Sequence, residues 1–202
     1  MGAKAVHFVS RDLFPTIKPK EFRMVMPANI ATCDNYVFKY AGWGYGPPSH
    51  EEIAVRRTAL DLKIPTDDAI RKAAPEMAAL IDGPCWLVPV PASDGTTAAN
   101  NALAKAIAEL ISGARVICAV GRTHPVESSY RRRTRGLPGL AIDEHAIIRT
   151  VGPLKPLPVY FIDNVVTTGT TIAACRRALG WGIGLTYADA STRKILASDR
   201  RR

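Results

Sequence analysis

A chain of 202 residues that is 47% hydrophobic and 22% charged can bury a core without metal or disulfide help, and lies far from the polar, highly charged compositions that stay disordered. Its 27 Lys and Arg against 18 Asp and Glu leave a net charge of +9, which favours an acidic partner without choosing among nucleic acid, anionic lipid and a multiply phosphorylated metabolite. Cys33, Cys85, Cys118 and Cys175 form no CxxC pair, so neither a zinc ribbon nor a dense disulfide framework is legible, and reduced thiols in a cytoplasm are expected.

The start of the chain holds His7 and no long apolar stretch, which predicts no cleaved signal peptide, and Val6 stands where a myristoylation signal needs Ser or Thr. The first fifty residues carry Pro15, Pro19, Pro27, Pro47 and Pro48 and admit only short strands. Gly42, Gly44 and Gly46, interleaved with Trp43 and Tyr45, do not spell GxGxxG and read as an aromatic turn or hood; the two rings could stack on a base or pack the hood. Ser49 and Glu52 make a capping box for a helix that carries Ile53, Val55, Leu60 and Leu62 and stops before Pro65. Thr66, Asp67 and Asp68 open a second helix, which Pro75 should kink or break. The longest apolar candidate, 77–90, is cut by Asp82, Pro84 and Pro89, so no membrane span is predicted.

From residue 85 the pattern changes to short apolar runs alternating with amphipathic helices, the signature of an α/β domain with a central, mainly parallel sheet flanked by helices. The spacing predicts a strand over 85–90, a helix over 96–111 with Leu103, Ile107, Leu110 and Ile111 on one face, and a strand over 115–120. Residues 121–141 show no apolar periodicity and contain the basic run with Arg131, Arg132, Arg133 and Arg135, which reads as a flexible lid loop. Strands over 146–149 and 159–162, a helix over 170–179, a strand over 183–188 and a charged tail ending in Arg200, Arg201 and Arg202 complete the chain. The division expected is an N-terminal extension with hood and helical segment over 1–84 and the α/β core over 85–202. His7, His50, His124 and His145 share no metal-ligand spacing and read as surface residues, and Cys175 reads as core.

One stretch carries chemistry. Val159, Tyr160, Phe161 and Ile162 form a buried strand that delivers Asp163 at its end, followed after Asn164, Val165 and Val166 by a turn of Thr167, Thr168, Gly169, Thr170 and Thr171 that opens a helix. Such a turn aims several N–H groups and the positive end of a helix dipole at one point, as a phosphate monoester requires, and its hydroxyls add donors. Gly169 lets the backbone curl around an anion with no Cβ in the way. Asp163 stands about a sugar's length upstream and can accept from vicinal ribose hydroxyls.

The stretch resembles the binding signature for 5-phosphoribosyl 1-pyrophosphate in type I phosphoribosyltransferases: four apolar residues, two acidic positions, two apolar residues and a Thr-Gly-x-Thr-like turn. It departs from that pattern at Asn164, where the family usually has a second acid. Leu87 to Ser93 resembles the strand and turn before the pyrophosphate loop of the ComF-like, competence-associated members, and Lys39, Tyr40 and Gly42 resemble their Lys-Tyr-x-Gly element. The likeness runs from about residue 36 to 190; the four-cysteine zinc ribbon of many members has no counterpart in the first 35 residues.

The resemblance implies a cytoplasmic glycosyltransferase of nucleotide metabolism, with the type I phosphoribosyltransferase fold and a small N-terminal hood, that moves a phosphoribosyl group to or from a nitrogenous base with Mg2+. It implies catalytic roles for Asp163, Asn164 and Thr167, with Asp163 binding the metal directly or through water. Thr168, Gly169, Thr170 and Thr171 would take the 5-phosphate, and Ala92, Ser93, Asp94 and Gly95 the pyrophosphate. Arg131, Arg132, Arg133 and Arg135 would serve in the closing loop. Thr167 stands where 6-oxopurine salvage enzymes carry an acid/base Asp, which disfavours hypoxanthine–guanine chemistry. A homodimer is left open. So are two alternatives: a non-catalytic sensor of phosphoribosyl pyrophosphate or a nucleotide, motivated by Asn164, and a nucleic-acid-associated factor in DNA uptake, motivated by the +9 charge and the arginine runs.

Overall fold

Five strands of the computed structural model, which describes residues 30–35 and 49–190, make one sheet in the order β1-β7-β6-β2-β3. β1 (Ile30–Asn35) pairs with β7 (Ile183–Asp189), β7 with β6 (Val159–Val166), β6 with β2 (Trp86–Pro89) and β2 with β3 (Arg115–Val116), each pairing parallel. The expected α/β class is therefore the observed one. Residues 36–48, which include the stretch read as an aromatic hood, the first 29 residues and the arginine tail lie outside the described residues. Among the described residues no helix is long and apolar enough to cross a membrane.

Helix α1 (His50–Asp61) starts at the expected capping box: the Glu52 N–H donates to Ser49 Oγ at 3.1 Å and the Ser49 N–H to Glu52 Oε2 at 2.8 Å. Helix α2 (Asp67–Ala78) is capped by Thr66, whose Oγ1 accepts from the Ala69 N–H at 3.3 Å. Pro75 does not end α2, because it falls close to the last turn, where only one intrahelical bond is lost and the helix runs on to Ala78. Helix α3 (Ala98–Glu109) returns the chain from β2 to β3.

The strand expected over 115–120 is two. Ala119 donates back to the Ile117 carbonyl at 2.9 Å, turning the chain out of the main sheet, and β4 (Val120–Arg122) pairs antiparallel with β5 (Ile147–Arg149) instead. Between them lie a short helix α4 (Ser129–Thr134) and a 3-10 turn at Asp143–His145. Helix α5 (Thr170–Leu179) has the expected bounds.

Alternate strand residues feed two cores, as the pleat requires. Leu87, Tyr160, Ile162, Leu185 and Tyr187 pack with α1, α2 and α3, whereas Val88, Val159 and Phe161 pack with α5 through Ile172, Cys175 and Leu179. Cys175 is fully buried, as expected. Because β1 is an edge strand of this sheet and α1 and α2 belong to the first core, the change of sequence pattern at residue 85 does not coincide with a break in packing.

α5 lies unusually close to β7, since a Cβ built on Gly184 would meet Ile172 Cδ1 at 2.7 Å and Ile30 Cγ1 at 2.9 Å. Gly184→Ala should therefore cost about 1–3 kcal/mol through overpacking, read as a lower urea midpoint with an unchanged slope. A midpoint equal to that of the wild type would mean that α5 is free to move outward.

Candidate functional site

The strand order places a switch point between β2 and β6. From β2 the chain crosses by α3 to β3 on one side, and from β6 it crosses by α5 to β7 on the other. Connections leaving in opposite directions open a crevice at the carboxyl ends of the two strands, the general ligand position of open α/β sheets. The turn 91–97 and the turn 167–169 border it. The two helices that begin here share a property: neither Thr97 before α3 nor Gly169 before α5 makes a side-chain cap, in contrast to Ser49 and Thr66. Neither N-cap residue thus offers a side-chain acceptor to its helix, and at α5 the Thr170 N–H makes a long bond of 3.5 Å to Thr168 Oγ1.

In the second turn Gly169 takes the left-handed conformation, φ 76° and ψ −1°, and its carbonyl accepts from the Ala173 N–H at 2.9 Å. Thr168 is exposed, while Thr167, Thr170 and Thr171 are half-buried. The Thr168 and Thr170 hydroxyls lie 2.9 Å apart, and Thr170 Oγ1 is 3.2 Å from His145 Nε2.

β6 runs on to Val166, so Asp163 sits within the strand rather than at its end. Its Oδ1 accepts from the Asn164 N–H at 2.9 Å and from Asn100 Nδ2 at 3.2 Å, and the same Asn100 amide donates to the Val90 carbonyl at 2.8 Å. Burial pushes the Asp163 carboxyl up to about 6, against the pull of these hydrogen bonds and of the Lys63 and Arg122 charges. Asn164 does not join it. Its amide is buried and donates to the Ala59 carbonyl of α1 at 2.8 Å, because neighbouring strand residues project to opposite faces. The pair expected to hold ribose and metal is thus split, leaving Asp163 as the carboxylate and Asn164 as a tie between sheet and helix.

The first turn is tightly closed. Ala92 donates to the Thr96 carbonyl at 2.8 Å and Gly95 to the Ala92 carbonyl at 3.0 Å, so these two N–H groups are not offered to an anion. Asp94 Oδ1 accepts from the Thr96 N–H at 2.9 Å and its hydroxyl at 2.8 Å, which holds the carboxyl below its ordinary range. Ser93 contributes its carbonyl, which accepts from the Val126 N–H at 2.7 Å and so seats the 121–141 segment on the turn.

Within that segment the expected lid cations are partly committed to its own shape. Arg132 Nε donates to the Pro138 carbonyl at 2.7 Å, and Arg135 pairs with Glu127 at 2.9 Å. Arg131 is exposed, and Arg133 lies in the same short helix, α4.

Besides Asn100, two further residues given no site role in the sequence reading hold the site together. Arg122 donates from Nε to the Ala92 carbonyl at 2.7 Å, from Nη2 to the Pro91 carbonyl at 3.4 Å and from Nη1 to the His145 carbonyl; burial lowers its pKa. His145, expected at the surface, is 2% exposed, and burial together with the Arg122 charge pushes it down to about 4, so it is neutral near pH 7. Asn100 had a sequence signal, since it shares the i, i+3, i+4, i+7 stripe with Leu103, Ala104 and Ile107 and is thus a polar residue on a core face. His145 had none, lying on a short turn outside any periodic segment.

Among the described residues no group of three or more His, Cys, Asp or Glu side chains is gathered to hold a metal ion. No protein-family model matches the chain, and neither a curated protein nor a solved structure matches it.

The two neighbours on β6 should respond oppositely to substitution. Asp163 has a folded pKa above its unfolded one, so its contribution to stability is present below about 4 and is lost as pH rises through about 6. Asp163→Asn should accordingly raise stability at pH 7.5 by something on the order of 1–3 kcal/mol. Asn164→Asp sets a carboxylate against the Ala59 carbonyl and should lower it by about 1–3 kcal/mol. Urea unfolding of both variants checks the pair of signs.

Proposed function

We propose that the crevice between β2 and β6 binds 5-phosphoribosyl 1-pyrophosphate, and that the protein is a phosphoribosyltransferase of the ComF-like kind. The observation that carries the reading is the meeting, at one switch point, of the threonine turn and the turn after β2, with Asp163 on the strand that leads into the first and bonded to Asn100 of the helix that follows the second. A ligand with a phosphate at one end, a ribose in the middle and a diphosphate at the other matches that order of groups. The sequence resemblance supports the same assignment independently.

The reaction would be displacement at ribose C1, in which a nitrogenous base forms a C–N bond as the C–O bond to pyrophosphate breaks. The Thr168 to Thr171 turn would hold the 5-phosphate on N–H groups and hydroxyls, fixing one end of the donor. Asp163 would accept from the ribose hydroxyls. A carboxyl raised to about 6 is one whose charge the free protein solvates poorly and a bound ligand can satisfy. The turn 92–95 and the 121–141 segment seated on it would enclose the leaving diphosphate and exclude water that would otherwise hydrolyse the cationic sugar. Mg2+ fits here only in part: Asp163 is one suitable oxygen donor and Asn164 is occupied by Ala59, so most of the ion's ligands would come from the substrate. When bound it would neutralise charge on the diphosphate.

The sensor reading gains from the same split of Asp163 and Asn164, because one carboxylate anchors a metal–diphosphate complex less firmly than two. Incubation with phosphoribosyl pyrophosphate, Mg2+ and a panel of bases separates the two: the enzyme releases pyrophosphate with one of them, whereas the sensor binds the donor and releases none.

The donor site itself is tested at Gly169. Gly169→Val forces a β-branched residue into positive φ and places its side chain toward the anion, so affinity for phosphoribosyl pyrophosphate should fall at least about tenfold in a calorimetric titration. Unaltered affinity, with the fold intact by circular dichroism, would remove the proposal.

A further inference from the structure

His145 is a buried titratable side chain to which the mechanism above gives no task. The residue is 2% exposed, yet it sits on a single 3-10 turn where an aliphatic side chain would fill the space without desolvating a polar ring. Ala146, the next residue, has φ 53°, the left-handed conformation that an alanine adopts only at a cost. The backbone carbonyl of His145 is gripped by Arg122. A turn that merely joined two elements would need none of these features.

The two ring nitrogens have different surroundings. Nε2 stands 3.2 Å from Thr170 Oγ1, which is 2.9 Å from Thr168 Oγ1, whereas Nδ1 is buried without a hydrogen-bond partner. An orphaned acceptor is tolerated in protein interiors more readily than an orphaned N–H, so the proton of a neutral ring belongs on Nε2. The consequence runs down the chain of hydroxyls. With Nε2–H donating to Thr170 Oγ1, a single hydroxyl hydrogen is enough to bridge Thr170 and Thr168, and the hydrogen of the other hydroxyl is left to point outward. In the opposite tautomer Thr170 would donate to the ring and Thr168 to Thr170, and both hydroxyl hydrogens would be consumed inside the protein.

We infer that His145 is a positioning residue for the threonine turn: as the Nε2–H tautomer it donates to the Thr170–Thr168 hydroxyl pair, so that one hydroxyl of the pair keeps its hydrogen for a phosphate oxygen. The inference rests on the reading of that turn as a phosphate site. Arg122 sets the ring in place by holding the His145 carbonyl, and its contacts with Pro91 and Ala92 tie this setting to the neighbouring turn. The nearby guanidinium also disfavours protonation, which would keep the ring neutral through the physiological range.

Ribose 5-phosphate is the probe, because it carries the monoester without the diphosphate. In the protein labelled with 15N-histidine, the ring resonances of His145, assigned by comparison with His145→Gln, should report the Nε2–H tautomer and should shift at Nε2 as ribose 5-phosphate is added. Calorimetry should show a five- to tenfold loss of affinity in His145→Leu and recovery of most of it in His145→Gln, whose amide returns a donor near the Nε2 position. A purely structural role would not give this recovery. A wild-type protein that fails to bind ribose 5-phosphate overturns the phosphate reading and the inference with it. Binding by the wild type together with an Nδ1–H ring, unmoved ring resonances, or equal affinity in His145→Leu overturns the inference alone. If His145→Leu does not fold, the tautomer measured in the wild type decides.

Discussion

The Asn100 side-chain amide is the tie on which the geometry of the crevice depends. One Nδ2 donates both to the carbonyl of Val90, the residue after β2, and to the carboxylate of β6, and the residue itself sits in the first turn of α3. It thereby fixes three things at once: the spacing of the two central strands beyond their last ladder pair, Pro89 with Ile162, the entry angle of α3, and the direction of Asp163. A buried amide makes such a tie only when its donors are satisfied, since an unpaired one would cost more than the tie contributes. The neighbouring Asn164 amide does a matching job by holding α1, which shares the first core with α3. The central strand is thus braced to a helix on each of two adjacent residues.

Unfavourable features are gathered at one end of the molecule. The half-buried Asp163 has its charge disfavoured, α3 and α5 begin without side-chain caps, and His145 and Arg122 are desolvated. Elsewhere the same chain follows the rules closely: α1 carries a full capping box, α2 a threonine cap, and the strands alternate cleanly between two apolar cores. N-cap positions without a side-chain acceptor leave N–H groups that an anion would satisfy, in keeping with the proposed site.

Much of the fold was legible because periodicity and capping are local. The bounds of α5, the Ser49 capping box, the Thr66 start and the α/β alternation all follow from residues a few positions apart. What failed to show was long-range. β1 has an ordinary short apolar pattern, and only its pairing with β7, some 150 residues later, gives it meaning. The turn at Ala119 that sends β4 out of the sheet depends on Thr150, whose N–H donates to the Ala119 carbonyl and whose hydroxyl donates to that of Cys118. The threonine turn and Asp163 were readable as a linear motif, but treating Asp163 and Asn164 as a pair ignored the pleat, which sends neighbours to opposite sides. Arg122 and His145 entered the site through contacts with residues 23 to 31 positions away, for which a single sequence gives no signal.

In the proposed binding mode, two turns at one switch point hold opposite ends of a single ligand. Backbone amide chemical shifts recorded while phosphoribosyl pyrophosphate is titrated into the 15N-labelled protein test it most directly. Resonances of Thr168, Gly169, Thr170 and Thr171 and those of Ser93 and Asp94 should move together with one shared dissociation constant, with Asp163 and Asn100 following. Shifts confined to the arginines of 131–135, or changes at the two turns with unrelated affinities, would contradict it.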